Sequence, residues 1–464
     1  EKFSSIAELS STNFEYEFDR IEESWKMLLF NQFHDILPGS SIPAVYDDAD
    51  RDYAWARGEC DAALQGALAR LSDAAYTSAG PGEAVAIFNG LSWSRDGLVE
   101  VALDPDATTA KVLHEAGEEV PAQVVDGPDG GKKAIFVARS VPAMGYAVYR
   151  LSGAPATGTG ERPLEVRDNV IENELLKVTV DPETGWVSSI YDKKNDVETV
   201  APGAYAFELQ ARRELEKSNA WDPYFPEDGG HIEMPPVSEM EITESGPVRA
   251  TIMVKRPFGE KSEFTHYFSL VAGMPVVYGR LDVDWRERNV FLKSSFHYNL
   301  DSDFATYEIP YAAIERTTKP ETPAEKAKWE VSGHRWVDYT DEAADYGVTL
   351  LSFNKYGYDA LGNTLRISLL RGTTSPDPGA DLGRHSIPYA LYPHAGGWSA
   401  AQAPRRAREY NDPMLVVRPK GHPGRLGVRH SFFSARPANV SISTVKKAEN
   451  GEGTQSAPSS SDGQ

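Results

Sequence analysis

Apolar residues recur every three or four positions near the start of the chain. Phe18, Ile21, Trp25, Leu28, Leu29 and Phe33 fall on one stripe, which predicts an amphipathic helix. The segment Ile36-Leu37-Pro38-Gly39-Ser40-Ser41 reads as a turn, with Ser41 able to cap a second helix that has Pro43 in its first turn. In that helix Val45, Ala49, Tyr53, Ala56, Cys60, Ala63, Leu64, Ala67, Leu68 and Leu71 make the expected buried face. The string Asn31-Gln32-Phe33-His34-Asp35 therefore falls where the first helix ends.

From position 84 the period shortens. Ala84–Asn89, Gly97–Leu103, Glu119–Val125, Lys133–Ala138 and Tyr146–Leu151 are β-type runs separated by Gly, Pro and Asp clusters, the signature of a small β-sandwich. Two Gly/Pro-bearing stretches, Thr77–Glu83 and Gly153–Arg162, read as boundaries. Beyond them the strand pattern continues on a larger scale. Leu175–Val180 and Trp186–Tyr191 flank Asp181-Pro182-Glu183-Thr184-Gly185, a hairpin with a defined turn chemistry. Val248–Arg256, Ser262–Leu270, Pro275–Val283 and Gly347–Asn354 are further strands. No strand–helix alternation occurs, so no parallel sheet is implied. The expected organisation is a helical hairpin or bundle over 1–76, a small β-sandwich over 84–152, a large β-sandwich over 163–446 and a disordered tail over 447–464.

Size and charge narrow the partners. A chain of 464 residues exceeds what one core usually supports, so two or three domains are expected. The 47 basic and 69 acidic residues give a net charge of −22, which argues against nucleic acid and against an anionic membrane surface. No run of about 18 apolar residues predicts a membrane span. Cys60 is the only cysteine, so no internal disulfide forms, and a reducing, cytoplasmic compartment is the expectation. The first residues, Glu1-Lys2-Phe3-Ser4-Ser5, read as the middle of a longer protein. A homo-oligomer is left open.

His34 beside Asp35 at a helix end carries two readings on residue type alone. One is a cap, with a cationic imidazole near the negative end of the helix dipole. The other is a metal ligand beside a carboxylate that binds a second group.

The longer string Gln32-Phe33-His34-Asp35-Ile36-Leu37-Pro38-Gly39-Ser40 closely resembles a signature of glycoside hydrolase family 38. Asn89-Gly90-Leu91-Ser92-Trp93, Gly185–Lys194, Ala220-Trp221-Asp222, His334-Arg335-Trp336, Leu369-Leu370-Arg371 and Tyr389–His394 resemble other segments of that family, in its order. The resemblance implies a mainly β fold with N-terminal helices and a galactose-mutarotase-like super-sandwich. It implies a retaining, zinc-dependent α-mannosidase acting on α-mannoside oligosaccharides, with two carboxylates about 5 Å apart across the scissile bond. Carried over by position, His34 is one zinc ligand and Asp35 contacts the mannose. Trp221, Asp222 and Arg371 lie in segments that resemble those lining the sugar pocket.

The same resemblance implies that the nucleophile, the acid/base and the remaining zinc ligands belong to an N-terminal domain that this chain lacks. The chain alone is therefore expected to be inactive and to bind zinc weakly, since one His cannot hold a tetrahedral site. The ordinary alternatives are a core Trp221, a turn Asp222 and a salt-bridged Arg371. His334, His385 and His394 read as structural histidines, and Asp359, Asp377 and Asp381 lack calcium-loop spacing. A stand-alone, non-catalytic carbohydrate-binding sandwich is the competing expectation.

Overall fold

The computed structural model describes all residues except 12, 79, 128–129, 157–163, 260, 451 and 461–464. The chain divides into two compact units. One holds Glu1–Pro38, the chain from Ala44 up to the 157–163 stretch and the residues from Asp412 onward; the other holds Gly39–Pro43 and the chain from the 157–163 stretch as far as Asn411.

In the first unit, helices α1 (Lys2–Ser10), α2 (Phe18–Phe30) and α3 (Pro43–Ala74) precede the strands. Strand Glu83–Asn89 is central and buried from Ala84 to Asn89. Its side chains alternate, as a strand demands. Val85 and Ile87 face a core shared with Val99, Val101, Phe136 and Tyr149. Ala84, Ala86 and Phe88 face a second core made with Phe3, Ile6, Leu68 and Leu71 of the helices. The helices and the sandwich thus share one strand as a common wall. The boundary expected between 76 and 84 is not a division between compact units.

The C-terminal region differs from expectation as well. Leu415–Val417 pairs with Glu83–Asn89, and Arg429–Ser431 pairs with Gly145–Ser152. The stretch expected to close the large domain at 446 therefore returns to the first unit after Asn411. Part of the expected disordered tail is a strand: Thr454–Ser460 pairs antiparallel with Val440–Lys447. Pairing satisfies backbone groups that polar composition alone gives no reason to order.

The second unit is an antiparallel assembly of five-, six- and nine-stranded sheets around one core. The expected hairpin is present as Leu176–Val180 against Val187–Asp192. Gly185 adopts φ +68° in its turn, where an added Cβ would lie 2.6 Å from Val254 Cγ1. In the six-stranded sheet Leu209, Ala211, Leu365 and Ile367 point into the core. Glu208, Gln210, Arg212, Thr364, Arg366 and Ser368 alternate with them and take the opposite face. No helix is long and apolar enough to cross a membrane among the described residues.

Candidate functional site

Two places collect the residues singled out by sequence, one in each unit. The first is the turn after α2. Asn31 closes that helix: its N–H donates to Met27 O at 3.2 Å, and its side-chain amide donates to Met27 O at 3.1 Å and to Asp52 Oδ2 at 2.9 Å. Asn31 therefore takes the capping role, leaving His34 beyond the helix end. The start of α3 holds the turn in place. Tyr53 Oη donates to Asn31 O, and Tyr46 Oη donates to Asp35 O, each at 3.3 Å. His34 is 75% exposed in its side chain and lies 3.4 Å from Asp35 Oδ2. Its ring centroid is 4.3 Å from that of Phe33.

The surroundings of this turn are unusually apolar for a surface. Trp25, Leu29, Phe30, Phe33 and Leu37 are exposed. The helical stripe read from the sequence is real, but only Ile21 is buried; Phe18 and Leu28 are half-buried, and Trp25, Leu29 and Phe33 face solvent. In α3, Ala49, Ala56, Ala63, Ala67, Leu68 and Leu71 are buried as expected, whereas Tyr53 is exposed. Cys60 is also exposed, against the expectation of a core position.

His34 and Asp35 supply at most two metal donors. Among the described residues no group of three or more His, Cys, Asp or Glu side chains is arranged to hold a metal ion. A tetrahedral zinc site takes three or four protein ligands, so the described residues do not by themselves fit zinc.

The second place is a pocket of about 580 Å³ in the second unit, lined by Trp221, Asp222, Tyr224, Phe291, Trp329, Glu330, Arg371 and Asp381 among others. That size is within the usual range of about 300–1,000 Å³ for small-molecule sites. The structure thus brings Trp221, Asp222 and Arg371 together. Arg371 follows strand Thr364–Leu370, and the 214–224 loop follows strand Glu208–Arg213. The Arg371 guanidinium grips Glu214 through Nε–Oε1 and Nη2–Oε2 bonds, both 2.7 Å. It also donates to the carbonyls of Asn219 at 3.0 Å and Ala220 at 3.4 Å. Most of its donors are therefore spent on the loop that carries Trp221. Arg371 occupies the salt bridge that was its ordinary alternative while still lining the pocket.

Asn219 completes the loop. Its Oδ1 accepts the N–H groups of both Trp221 and Asp222 at 2.9 Å, an Asx turn that presents the two side chains outward. Trp221 is 59% exposed, so it is not a core residue. Asp381 Oδ2 accepts the N–H groups of Arg371 at 2.8 Å and Gly372 at 3.1 Å, fixing the opposite chain segment. Glu330 bonds Lys293 and Ser368. Burial holds its carboxyl above the ordinary range, with Lys293 opposing the shift.

Sequence reasoning missed Glu214, Asn219, Tyr224, Trp329 and Glu330. Asn219 had a local signal, a turn-forming Asn ahead of Trp221 and Asp222. Glu214 and Tyr224 lie on the loop that carries Trp221 and Asp222 but carry no motif of their own, and Trp329 and Glu330 reach the site from a distant part of the chain, just before strand Val331–Ser332.

The remaining candidates lie outside the pocket lining and make contacts within the second unit. His394 Nε2 lies 2.9 Å from Asp338 Oδ2 in a buried cluster with Thr349. His385 Nε2 lies 2.6 Å from Asp381 O. The backbone N–H of His334 donates to Glu308 O at 3.0 Å. Asp359 pairs with Lys293 and Arg366.

Residues 1–71 match the α-mannosidase middle domain, and residues 171–379 match the C-terminal domain of glycosyl hydrolases family 38. The chain is 30% identical over 457 residues to Alpha-mannosidase 2C1 of Mus musculus and of Homo sapiens, covering 97% of this chain and 40% of each relative. It is 26% identical to the Alpha-mannosidase of Saccharomyces cerevisiae, covering 96% of this chain and 37% of that protein. The crystal structure of an α-mannosidase from Enterococcus faecalis V583 superposes with a TM-score of 0.84 at 17% identity, over 97% of this chain and 58% of that one. This chain belongs to glycoside hydrolase family 38 and carries its middle and C-terminal domains. It spans well under half the length of the mammalian and yeast relatives it matches.

Proposed function

We propose that the chain is the C-terminal portion of a retaining, zinc-dependent α-mannosidase that removes terminal α-linked mannose from oligosaccharides. In this reading His34 is one metal ligand of a site completed by residues outside the chain. Asp35, Trp221, Asp222 and Arg371 serve the sugar: Asp35 and Asp222 accept hydroxyl hydrogen bonds, Trp221 offers an apolar ring face, and Arg371 holds the pocket loop. The exposure of His34 and Asp35 amid Phe30, Phe33 and Leu37 carries the proposal. A His-Asp pair on a hydrogen-bonded turn, ringed by exposed apolar side chains, is what remains when a partner surface is removed from a composite site. The partner is the N-terminal catalytic domain, which supplies both catalytic carboxylates. The chain alone is therefore inactive. The setting is cytoplasmic, resting on the single cysteine.

The test is hydrolysis of an aryl α-mannoside by this chain alone and by this chain co-expressed with its upstream coding region. Activity in the pair only, lost in His34→Ala, supports the proposal. Turnover by the chain alone would contradict it. A second reading is a non-catalytic saccharide-binding protein, favoured by one observation: the aromatic pocket is built wholly from the second unit. Inactivity of both preparations would favour that reading.

A further inference from the structure

The pocket contains more aromatic surface than the resemblance accounts for. Trp329, 43% exposed, enters it from the segment just before strand Val331–Ser332, far in sequence from Trp221. Its position is fixed from within the same unit. Phe225 meets it edge-on, with centroids 6.2 Å apart, and Phe225 is itself stacked on Phe291 at 6.3 Å. Lys293 Nζ lies 5.6 Å from the Trp329 ring and is bound to Asp359 Oδ2 at 2.6 Å and to Glu330. Tyr224 supplies a third exposed aromatic to the lining. A soluble protein leaves large apolar rings in water singly, whereas three gathered around one cavity mark a ligand site.

The electrostatics select the ligand. The lining holds several carboxyl groups, which by number suggest a cation. Glu330 is paired with Lys293, however, and Asp381 is engaged by two backbone N–H groups. Glu214 behind the pocket is paired with Arg371. These three groups offer acceptor oxygens already matched by donors, and Asp222 adds one further carboxylate to the lining. Rings that present apolar faces beside such acceptors suit a neutral polyol, whose C–H face stacks and whose hydroxyls donate.

The geometry points to Trp329 as a second aromatic platform, beside Trp221, of a neutral-oligosaccharide site that this chain forms without any other domain. The inference deepens the sugar-binding role given to Trp221 under the proposed function and rests on it. It makes Trp329 a specificity residue for the saccharide unit next to the one held at Trp221.

The experiment is calorimetric titration of this chain with a linear α-linked mannotriose, and separately with tetramethylammonium. The expected result is saturable binding of mannotriose that Trp329→Ala weakens about tenfold, the equivalent of one lost stacking contact. Trp329→Phe, which keeps a ring face, restores affinity to within about threefold. Trp25→Ala, on α2 of the first unit, leaves it unchanged. Thermal unfolding of each variant confirms that the second unit is folded. The inference is overturned by undiminished binding in Trp329→Ala, by tetramethylammonium displacing the mannotriose, or by no mannotriose binding. Loss of binding in this chain alongside mannosidase activity in the co-expressed pair would remove the inference and keep the enzyme reading. Binding through Trp329 without activity in the pair would do the reverse.

Discussion

The Arg371 guanidinium and the Glu214 carboxylate meet through two parallel 2.7 Å hydrogen bonds, with the Glu214 side chain entirely shielded from solvent. Such a pair is worth little against a hydrophobic replacement, but removing one member strands a buried charge at about 3–5 kcal/mol. Arg371→Ala is expected to destabilise this chain by that order in urea unfolding. Arg371→Lys keeps the charge but loses the planar fork, and also releases the Asn219 and Ala220 carbonyls. Equal stability of the wild type and Arg371→Ala would show that the pair does not organise the loop.

His34 gives the opposite expectation. A side chain 75% exposed, in contact with its chain neighbours Phe33 and Asp35, changes stability by less than about 0.5 kcal/mol on truncation. His34→Ala should therefore unfold at the same urea midpoint as the wild type, and the chain alone should bind Zn²⁺ no more tightly than that variant does. A high-affinity zinc isotherm lost in His34→Ala would mean that further ligands lie within this chain.

Much of this was legible from local pattern. The α2 stripe, the Asp181–Gly185 turn and the Asn31–Asp35 string each encode their conformation within about a dozen residues. Domain division was not, because it depends on which distant strands pair. Nothing local in Leu415–Val417 indicates that it joins strand Glu83–Asn89. The pocket shows the same divide. Trp221 and Asp222 share one Asx turn and were singled out together, whereas Trp329 and Glu330 reach the site from a distant part of the chain. Cys60 was misplaced because helical spacing identifies a stripe but does not state what covers it.

That uncovered stripe makes its own prediction. If Leu29 and Phe30 face a partner domain, charged replacements cost this chain nothing and cost the assembly heavily. The double variant Leu29→Glu/Phe30→Glu should match the wild type in thermal unfolding and bind less of a dye specific for exposed apolar surface. In co-expression it should fail to co-purify with the upstream region. Undiminished co-purification would place the partner surface elsewhere.

His266 sets an acid limit on the second unit. It is wholly buried beside Phe268 and 2.9 Å from Tyr389 Oη, and burial lowers its pKa to about 3, helped by the nearby charge of Arg256. In the unfolded chain the same imidazole titrates near 6.5. Above that pH both states are neutral and the group contributes no pH dependence. Below it the unfolded state takes up a proton that the folded state refuses, so stability falls with pH from 6.5 towards 3. By pH 5 the loss from this residue is about 2 kcal/mol, at 1.36 kcal/mol per pH unit. Urea unfolding at pH 7 and pH 5 should show that much more acid sensitivity in the wild type than in His266→Phe. The variant's stability at pH 7 serves as its own reference, so any repacking cost cancels from the comparison. Identical pH dependence in the two proteins would mean that His266 is protonated, or accessible to protons, in the folded state.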